Sequence, residues 1–328
     1  MKFAGIIAEY DPFHNGHAWQ LAQAKALGAE RVAVAMSCSL VQRGALPLLP
    51  EAVRTRSALT CGADLVFALP APCACAGAEA FARAGVALLA AAGCDGLVFG
   101  AETPDAALLM EAAELLDSDS YRAALKAQLA GGARSFAAAR QAAAAKLASD
   151  ERVAALLDKP NNNLAVEYCR AIRSLAPRME AYPLPRQGAN HGEALHSAHG
   201  QFASASALRK LWAEGGADAV APYVPEAVFP LYQEAYAAGQ YTDFSAAGRC
   251  ELALLRSACR GKAPFADIRG VSEGLEHRLE AAVRTSTTYD ELLGALTTVR
   301  YPRARMRRLA MDAALGLSLI HISEPTRH

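Results

Sequence analysis

Four short apolar runs with β-branched character punctuate the first hundred residues: Phe3–Glu9, Arg31–Met36, Asp64–Leu69 and Gly96–Phe99. Between them lie stretches with helical patterning, His17–Leu27, Glu51–Cys61 and Glu79–Ala92. Runs that are apolar at nearly every position, rather than at every second one, belong to strands buried on both faces. Strand–helix alternation of this kind therefore predicts a Rossmann-like α/β fold, a parallel sheet with helices on both faces. The alanine-rich stretch Asp105–Leu157 places leucines at helical spacing and is expected to be mostly helix. Met179–Leu184 reads as one more strand, and Ser204–Trp212 as a helix opening.

After Gly215-Gly216 the pattern changes. Pro222, Pro225 and Pro230 mark a turn-rich crossing, followed by helical stretches only. Residues 1–216 and 217–317 are thus expected to form two domains. The second holds a local basic cluster of Arg300, Arg303, Arg305, Arg307 and Arg308, with Tyr301 among them. Ser318–His328 breaks the preceding helical pattern and resembles a translated cloning or adapter tail, so it is set aside; the natural chain is then expected to continue differently.

The formal net charge is zero, so any contact with nucleic acid must rest on a local patch. Lys2 runs straight into the first strand without a signal-peptide pattern. Glu79 and Arg83 interrupt the most apolar stretch, which argues against a membrane span. The eight cysteines show no CxxC spacing and read as reduced thiols, so a cytoplasmic location is expected.

The chemistry concentrates at the first strand–helix junction. Gly5–His17 (GIIAEYDPFHNGH) runs from a strand through a loop punctuated by Pro12 and Gly16 into a helix opening with His14 and His17. The unpaired N–H groups and positive dipole end of a helix start form a natural phosphate site. Two imidazoles there can donate to phosphoryl oxygens as charge builds, and one well-placed donor is commonly worth ~3 kcal/mol. Two histidines three apart could also hold a metal, but no third ligand is evident and none is assigned. A capping role at the helix entry is a further alternative.

The chain resembles the HxGH nucleotidyltransferase superfamily and, within it, the tRNA(Met) cytidine acetate ligases. The resemblance is carried in order by Gly5–His17, Met36–Gly44 (MSCSLVQRG), Gly62–Pro70 (GADLVFALP), Leu97–Glu102 (LVFGAE), Pro160–Tyr168 (PNNNLAVEY), Arg186–His191 (RQGANH), Phe202–Arg209 (FASASALR) and Arg300–Arg308 (RYPRARMRR). It implies activation of acetate by ATP to acetyl-adenylate, then acetylation of N4 of the wobble cytidine of elongator tRNA(Met). It assigns the stretch Ile7 to Gln20 to ATP, here Ile7, Ala8, Glu9, Tyr10, Phe13, His14, Asn15, Gly16, His17 and Gln20, with His14 and His17 catalytic at the phosphates. Gly100, Asn162 and Arg186 are implied at the nucleotide, and Ser204, Ser206 and Arg209 at the outer phosphates. Mg²⁺ is expected to bridge those phosphates rather than sit in a protein cage. Arg300, Arg303, Arg305, Arg307 and Arg308 are expected on the RNA backbone, with Tyr301 stacking on a base.

The chain departs from the family pattern at Asp11, usually Asn, and at Cys38-Ser39, usually Gly-Asn. Glu51 stands where Lys is common, and Asn190-His191-Gly192 where a Tyr-His-Asp run falls. Two alternatives stay open: adenylylation of a small phosphorylated metabolite, and an inactive RNA-binding homologue. Nothing in the residues fixes the oligomeric state.

Overall fold

The computed structural model describes residues 1–132, 135–186, 196–197, 200–260 and 263–317. The tail at 318–328, and Gln187 to His191 of one family motif, lie outside the described residues. Five parallel strands form the sheet: β1 (Phe3–Ala8), β2 (Arg31–Ser37), β3 (Leu65–Leu69), β4 (Gly96–Ala101) and β5 (Glu180–Pro185), in the order β3-β2-β1-β4-β5. The expected strands are all present within two residues of their ends.

Helices α1 (Asn15–Ala26), α2 (Glu51–Thr60), α3 (Ala71–Ala74) and α4 (Ala78–Ala91) connect the first four strands. The alanine-rich stretch resolves into α5 (Ala106–Asp117), α6 (Asp119–Ala130), α7 (Phe136–Leu147) and α8 (Glu151–Leu156), followed by α9 (Pro160–Leu175). Alternate residues of each strand feed opposite faces. Ala33 and Ala35 of β2, with Leu97 and Phe99 of β4, pack on Leu89 of α4 and Val166 and Ile172 of α9. Val32, Val34 and Met36, with Val98, pack the other way on Leu21 of α1 and Ala58 of α2. Burial on both faces explains why the strands read as continuous apolar runs.

The second face is completed by α10 (Ala205–Gly215) and α11 (Phe229–Ala237), joined by a 3₁₀ turn at Asp218–Tyr223. Trp212, Val220, Val228, Tyr232 and Ala235 belong to the same apolar cluster as Ile6 and Val34, so the packing runs past Gly216. A separate helical cluster is built from α12 (Phe244–Ala258), α13 (Leu275–Thr285), α14 (Tyr289–Leu296) and α15 (Arg303–Ala314). Arg269 bridges the two bodies. It pairs with Asp312 through Nη2 and Oδ1 at 2.7 Å and donates to the Cys75 carbonyl at 2.7 Å.

The chain turns to opposite sides of the sheet from β1, with β2 and β3 one way and β4 and β5 the other. A crevice opens beyond the carboxyl ends of β1 and β4, where open α/β sheets bind ligands. Among the described residues no helix is long and apolar enough to cross a membrane.

Candidate functional site

β1 gives way at Glu9 to a loop with Tyr10 in the left-handed region (φ 48°) and a cis Asp11–Pro12 peptide. The loop delivers His14 as the N-cap of α1. His14 Nδ1 accepts from the Gly16 N–H at 3.0 Å, and His17 Nδ1 accepts from the His14 N–H at 3.3 Å. The imidazoles thus close a reciprocal capping box with ring centroids 3.8 Å apart. The capping arrangement, an alternative in the sequence, is thus present, and it does not exclude a phosphate role. A neutral imidazole that accepts at Nδ1 carries its proton at Nε2, so capping fixes both rings as Nε2–H donors.

Burial is the first cause keeping them neutral. The pKa of His14 is pushed down to about 3, with Arg186 and Arg209 adding to the effect. His17 lies well below its ordinary value through burial, then His14 and Arg186. In the unfolded chain these groups return toward 6.5. Below that value the unfolded state binds more protons, so stability falls as pH drops from about 7 toward 3. Chemical-denaturation midpoints are expected to be lower at pH 5 than at pH 7.5. The difference should shrink in His14→Asn, which keeps a capping side chain without the titration.

The crevice is a cavity of about 340 Å³. Of the expected nucleotide residues it gathers Ile7, Ala8, Glu9, Tyr10, His14, Gly16, His17, Gln20, Gly100 and Arg186. Gln20 Nε2 donates to the Val98 carbonyl at 3.2 Å, holding α1 over β4. A Cβ on Gly100 would meet only Arg186 Cγ, at 3.4 Å, so the wall there is open backbone. Leu164 and Tyr168 of α9, with Phe81 and Phe99, give an apolar end.

Other expected residues stand behind the cavity wall. Phe13 is buried, its ring centroid 5.6 Å from that of His17. Asn15 Nδ2 donates to the Gln201 carbonyl at 3.0 Å, tying the start of α1 to the segment that leads into α10. Asn162 does not reach the cavity. Its Oδ1 accepts from the Thr103 N–H at 2.9 Å and its Nδ2 donates to Thr103 Oγ1 at 3.2 Å, clamping α9 to the turn after β4. The preceding Asn161 lines the cavity instead, anchored by its Nδ2 on Glu102 at 2.6 Å. Ser204 caps α10 by accepting from the Ala207 N–H at 3.3 Å and shares a hydrogen bond with Ser206. Neither serine lines the cavity, although Ala205 between them does.

The fold joins residues that the sequence named apart, Glu9, Asp11, Arg43 and Arg209, into an ionic wall. Asp11 is 1% exposed; Oδ1 accepts from the Leu48 N–H at 2.5 Å, and Oδ2 faces Arg43 and Arg209. Arg209 also donates to the Asp11 carbonyl at 2.5 Å, so it is tied to a cavity-lining residue without lining the cavity itself. Glu9 Oε1 accepts from the Gln42 N–H at 2.6 Å. Behind both, Arg54 is fully buried and donates to the carbonyls of Glu9, Ser37, Cys38 and Leu49. The one available signal was the concentration of Glu9, Asp11 and Arg43 in loops after adjacent strands; Arg54 had none. Cys38 is buried beside this wall, its thiol pushed up to about 12 by burial, then by Glu51, and neither residue lines the cavity.

Helix α15 abuts the same wall. Gly44 lies in a tight turn with φ 76°, where a Cβ would fall 2.5 Å from the Arg308 backbone nitrogen. Arg308 Nη1 donates to the Gln42 carbonyl at 3.3 Å. Arg300 pairs with Glu273 and Arg303 with Asp290, while Arg305 lies over the Tyr301 ring at 5.1 Å. Arg307 makes no ion pair or hydrogen bond among the described residues. The expectation that Tyr301 stacks on a base is not met: it is 9% exposed, packs in the helical core, and donates to Glu273 at 2.7 Å.

The HIGH Nucleotidyl Transferase family model matches residues 1–326. A tRNA(Met) cytidine acetate ligase of Syntrophotalea carbinolica is 36% identical over 314 residues, covering 95% of this chain and 73% of the relative. The chain belongs to the tRNA(Met) cytidine acetate ligase family. Another ligase of this family, from Acetivibrio thermocellus, is 33% identical over 97% of the chain and 78% of its own length. The crystal structure of Thermotoga maritima TmcAL bound with alpha-thio ATP superposes with a TM-score of 0.89 at 29% identity, covering 98% of this chain and 77% of that one. The ligase fold, a parallel sheet with a helical cluster after it, is therefore shared along the described chain.

Proposed function

We propose that this chain activates acetate with ATP to acetyl-adenylate and transfers the acetyl group to N4 of the wobble cytidine of elongator tRNA(Met). One observation carries the reading: two neutral Nε2–H donors, fixed by their own capping bonds, line a cavity at the switch point of the sheet. The cavity residues fit a nucleotide. The start of α1 and Ala205 at the start of α10 bring two positive helix ends to the cavity, Arg186 supplies a guanidinium fork, and Gly100 leaves room beside the backbone. The names of the relatives and the alpha-thio ATP complex support the same substrates.

In this reading His14 and His17 donate to phosphoryl oxygens while a carboxylate oxygen displaces pyrophosphate at the α-phosphorus. Arg186 and Asn161 hold the nucleotide, and Arg209, on its Asp11 anchor, places positive charge toward the outer phosphates. Mg²⁺ would enter with ATP and supply positive charge at its phosphates, since among the described residues no cluster of His, Cys, Asp or Glu could hold it. Residues through Gly239 form the nucleotide unit and those from Phe244 the RNA-docking unit, following the two packed clusters.

Incubation with ATP, acetate and tRNA(Met), followed by nucleoside analysis, is expected to yield N4-acetylcytidine. Product only with a different carboxylate would reject acetate. Arg307, without a protein partner among the described residues, is the arginine of the cluster best placed for a phosphate. Arg307→Ala is expected to weaken tRNA binding and reduce the slope of log affinity against log salt by about one. Unchanged binding and slope would favour a small metabolite as acceptor.

A further inference from the structure

The exocyclic amine of cytidine is a weak nucleophile because its lone pair is delocalised into the ring. Attack on an acyl carbon therefore gains from a positioned proton acceptor. Among the described residues, the cavity offers few. His14 and His17 have spent their Nδ1 lone pairs on backbone N–H groups, and their Nε2 atoms carry protons. Burial pushes the phenols of Tyr10 and Tyr168 up, so both stay protonated. Asp11 is 1% exposed, with one oxygen on the Leu48 N–H and the other shared by Arg43 and Arg209.

Glu9 differs. Its side chain is 26% exposed and faces the cavity. Oε1 accepts from the Gln42 N–H at 2.6 Å, while Oε2 meets, among the described residues, only Arg43 Nη1, at 3.3 Å. The charged groups around it are Arg43 from the loop after β2, Arg209 of α10 and Arg54 of α2, which donates to the Glu9 carbonyl at 2.7 Å. Tyr168 of α9 faces it across the cavity. Gln42 links this carboxylate to the basic helix, because its carbonyl receives Arg308 of α15. Glu9 thus stands on the wall that borders the RNA-docking side, not on the phosphate-binding turn.

We propose that Glu9 is the general base of acyl transfer, a role that rests on the acetate-ligase reading above. The N4 nitrogen forms a bond to the acetyl carbonyl carbon. The bond from that carbon to the adenylate phosphate oxygen breaks, its electron pair leaving with AMP. One N4 proton passes to Glu9 Oε2 and from there to solvent.

Glu9→Gln keeps an acceptor for the Gln42 N–H but cannot take a proton. The test compares two fates of the activated acetyl group in the full chain with ATP and acetate. Hydroxylamine, a strong nucleophile that needs no base, traps acetyl-adenylate as acetohydroxamate, and tRNA(Met) yields N4-acetylcytidine. Glu9→Gln is expected to lower the ratio of acetylcytidine to hydroxamate by about 100-fold or more. Glu9→Asp should recover part of that ratio. A ratio unchanged because both products fall together would make Glu9 a mere support of the loop, and an unchanged ratio with both products intact would remove it from the chemistry. Absence of hydroxamate from the native protein would instead overturn the acetate-activation reading itself.

Discussion

Replacing His17 by alanine is expected to slow acetate-dependent exchange of pyrophosphate into ATP by about 10²–10³-fold, the usual loss for one well-placed oxyanion donor. The size follows from how the ring is held. His17 Nδ1 is tied to the His14 N–H and its ring packs edge-on against Tyr10, with centroids 4.8 Å apart. Its Nε2–H is therefore oriented before substrate arrives, and nothing is spent on orienting it as charge develops. Because the charge it meets grows in the transition state, the loss should fall on kcat, with ATP affinity changed less. His14→Ala should lose a comparable donor and also the helix cap, about 1 kcal/mol of stability, so its melting temperature drops while that of His17→Ala moves less. Exchange reduced less than threefold in His17→Ala, in a protein that remains folded, would remove the imidazole pair from the chemistry.

That pair was legible because its signal is local. A strand, a proline-punctuated loop and a helix start can be read from adjacent residues, and the dipole argument needs nothing more. The five strands were equally plain, since burial on both faces writes an unbroken apolar run such as Val32–Met36. Errors begin where one helical step matters. Asn161 and Asn162 are adjacent, yet the 100° between them turns one to the cavity and the other to Thr103. Tyr301 likewise belonged to a basic cluster in sequence and to a helical core in space, because it lies in the turn just before α15 and joins the apolar cluster that holds Leu279 and Leu292. The pairing within the ionic wall was not readable. Asp11 meets Arg43 and Arg209 across separations of 32 and 198 residues, and only the folded sheet brings those loops together.

Arg54 is the extreme of that class, and Arg54→Leu is expected to cost about 3–5 kcal/mol through the carbonyl acceptors it would leave unpaired. The guanidinium is fully buried, and among the described residues no carboxylate pairs with it. Burial accordingly pulls its pKa down, opposed by nearby groups led by Cys38. Its Nε donates to the Leu49 carbonyl at 2.9 Å, and Nη1 donates to Glu9 at 2.7 Å and Ser37 at 2.6 Å; Nη2 serves Cys38. One planar fork thus satisfies carbonyls from the end of β1, the end of β2 and the loop before α2. Leucine would strand these acceptors, each worth about 1–3 kcal/mol if left dry, with relaxation and entering water recovering part of the sum. Against a total stability of about 5–15 kcal/mol, that loss should appear directly as a lower urea midpoint. Arg54→Lys should recover less than half, because a single ammonium cannot span three segments. A midpoint shift worth less than about 1 kcal/mol would mean that the carbonyls find other donors, and that Glu9 and Asp11 owe their placement to the strands alone.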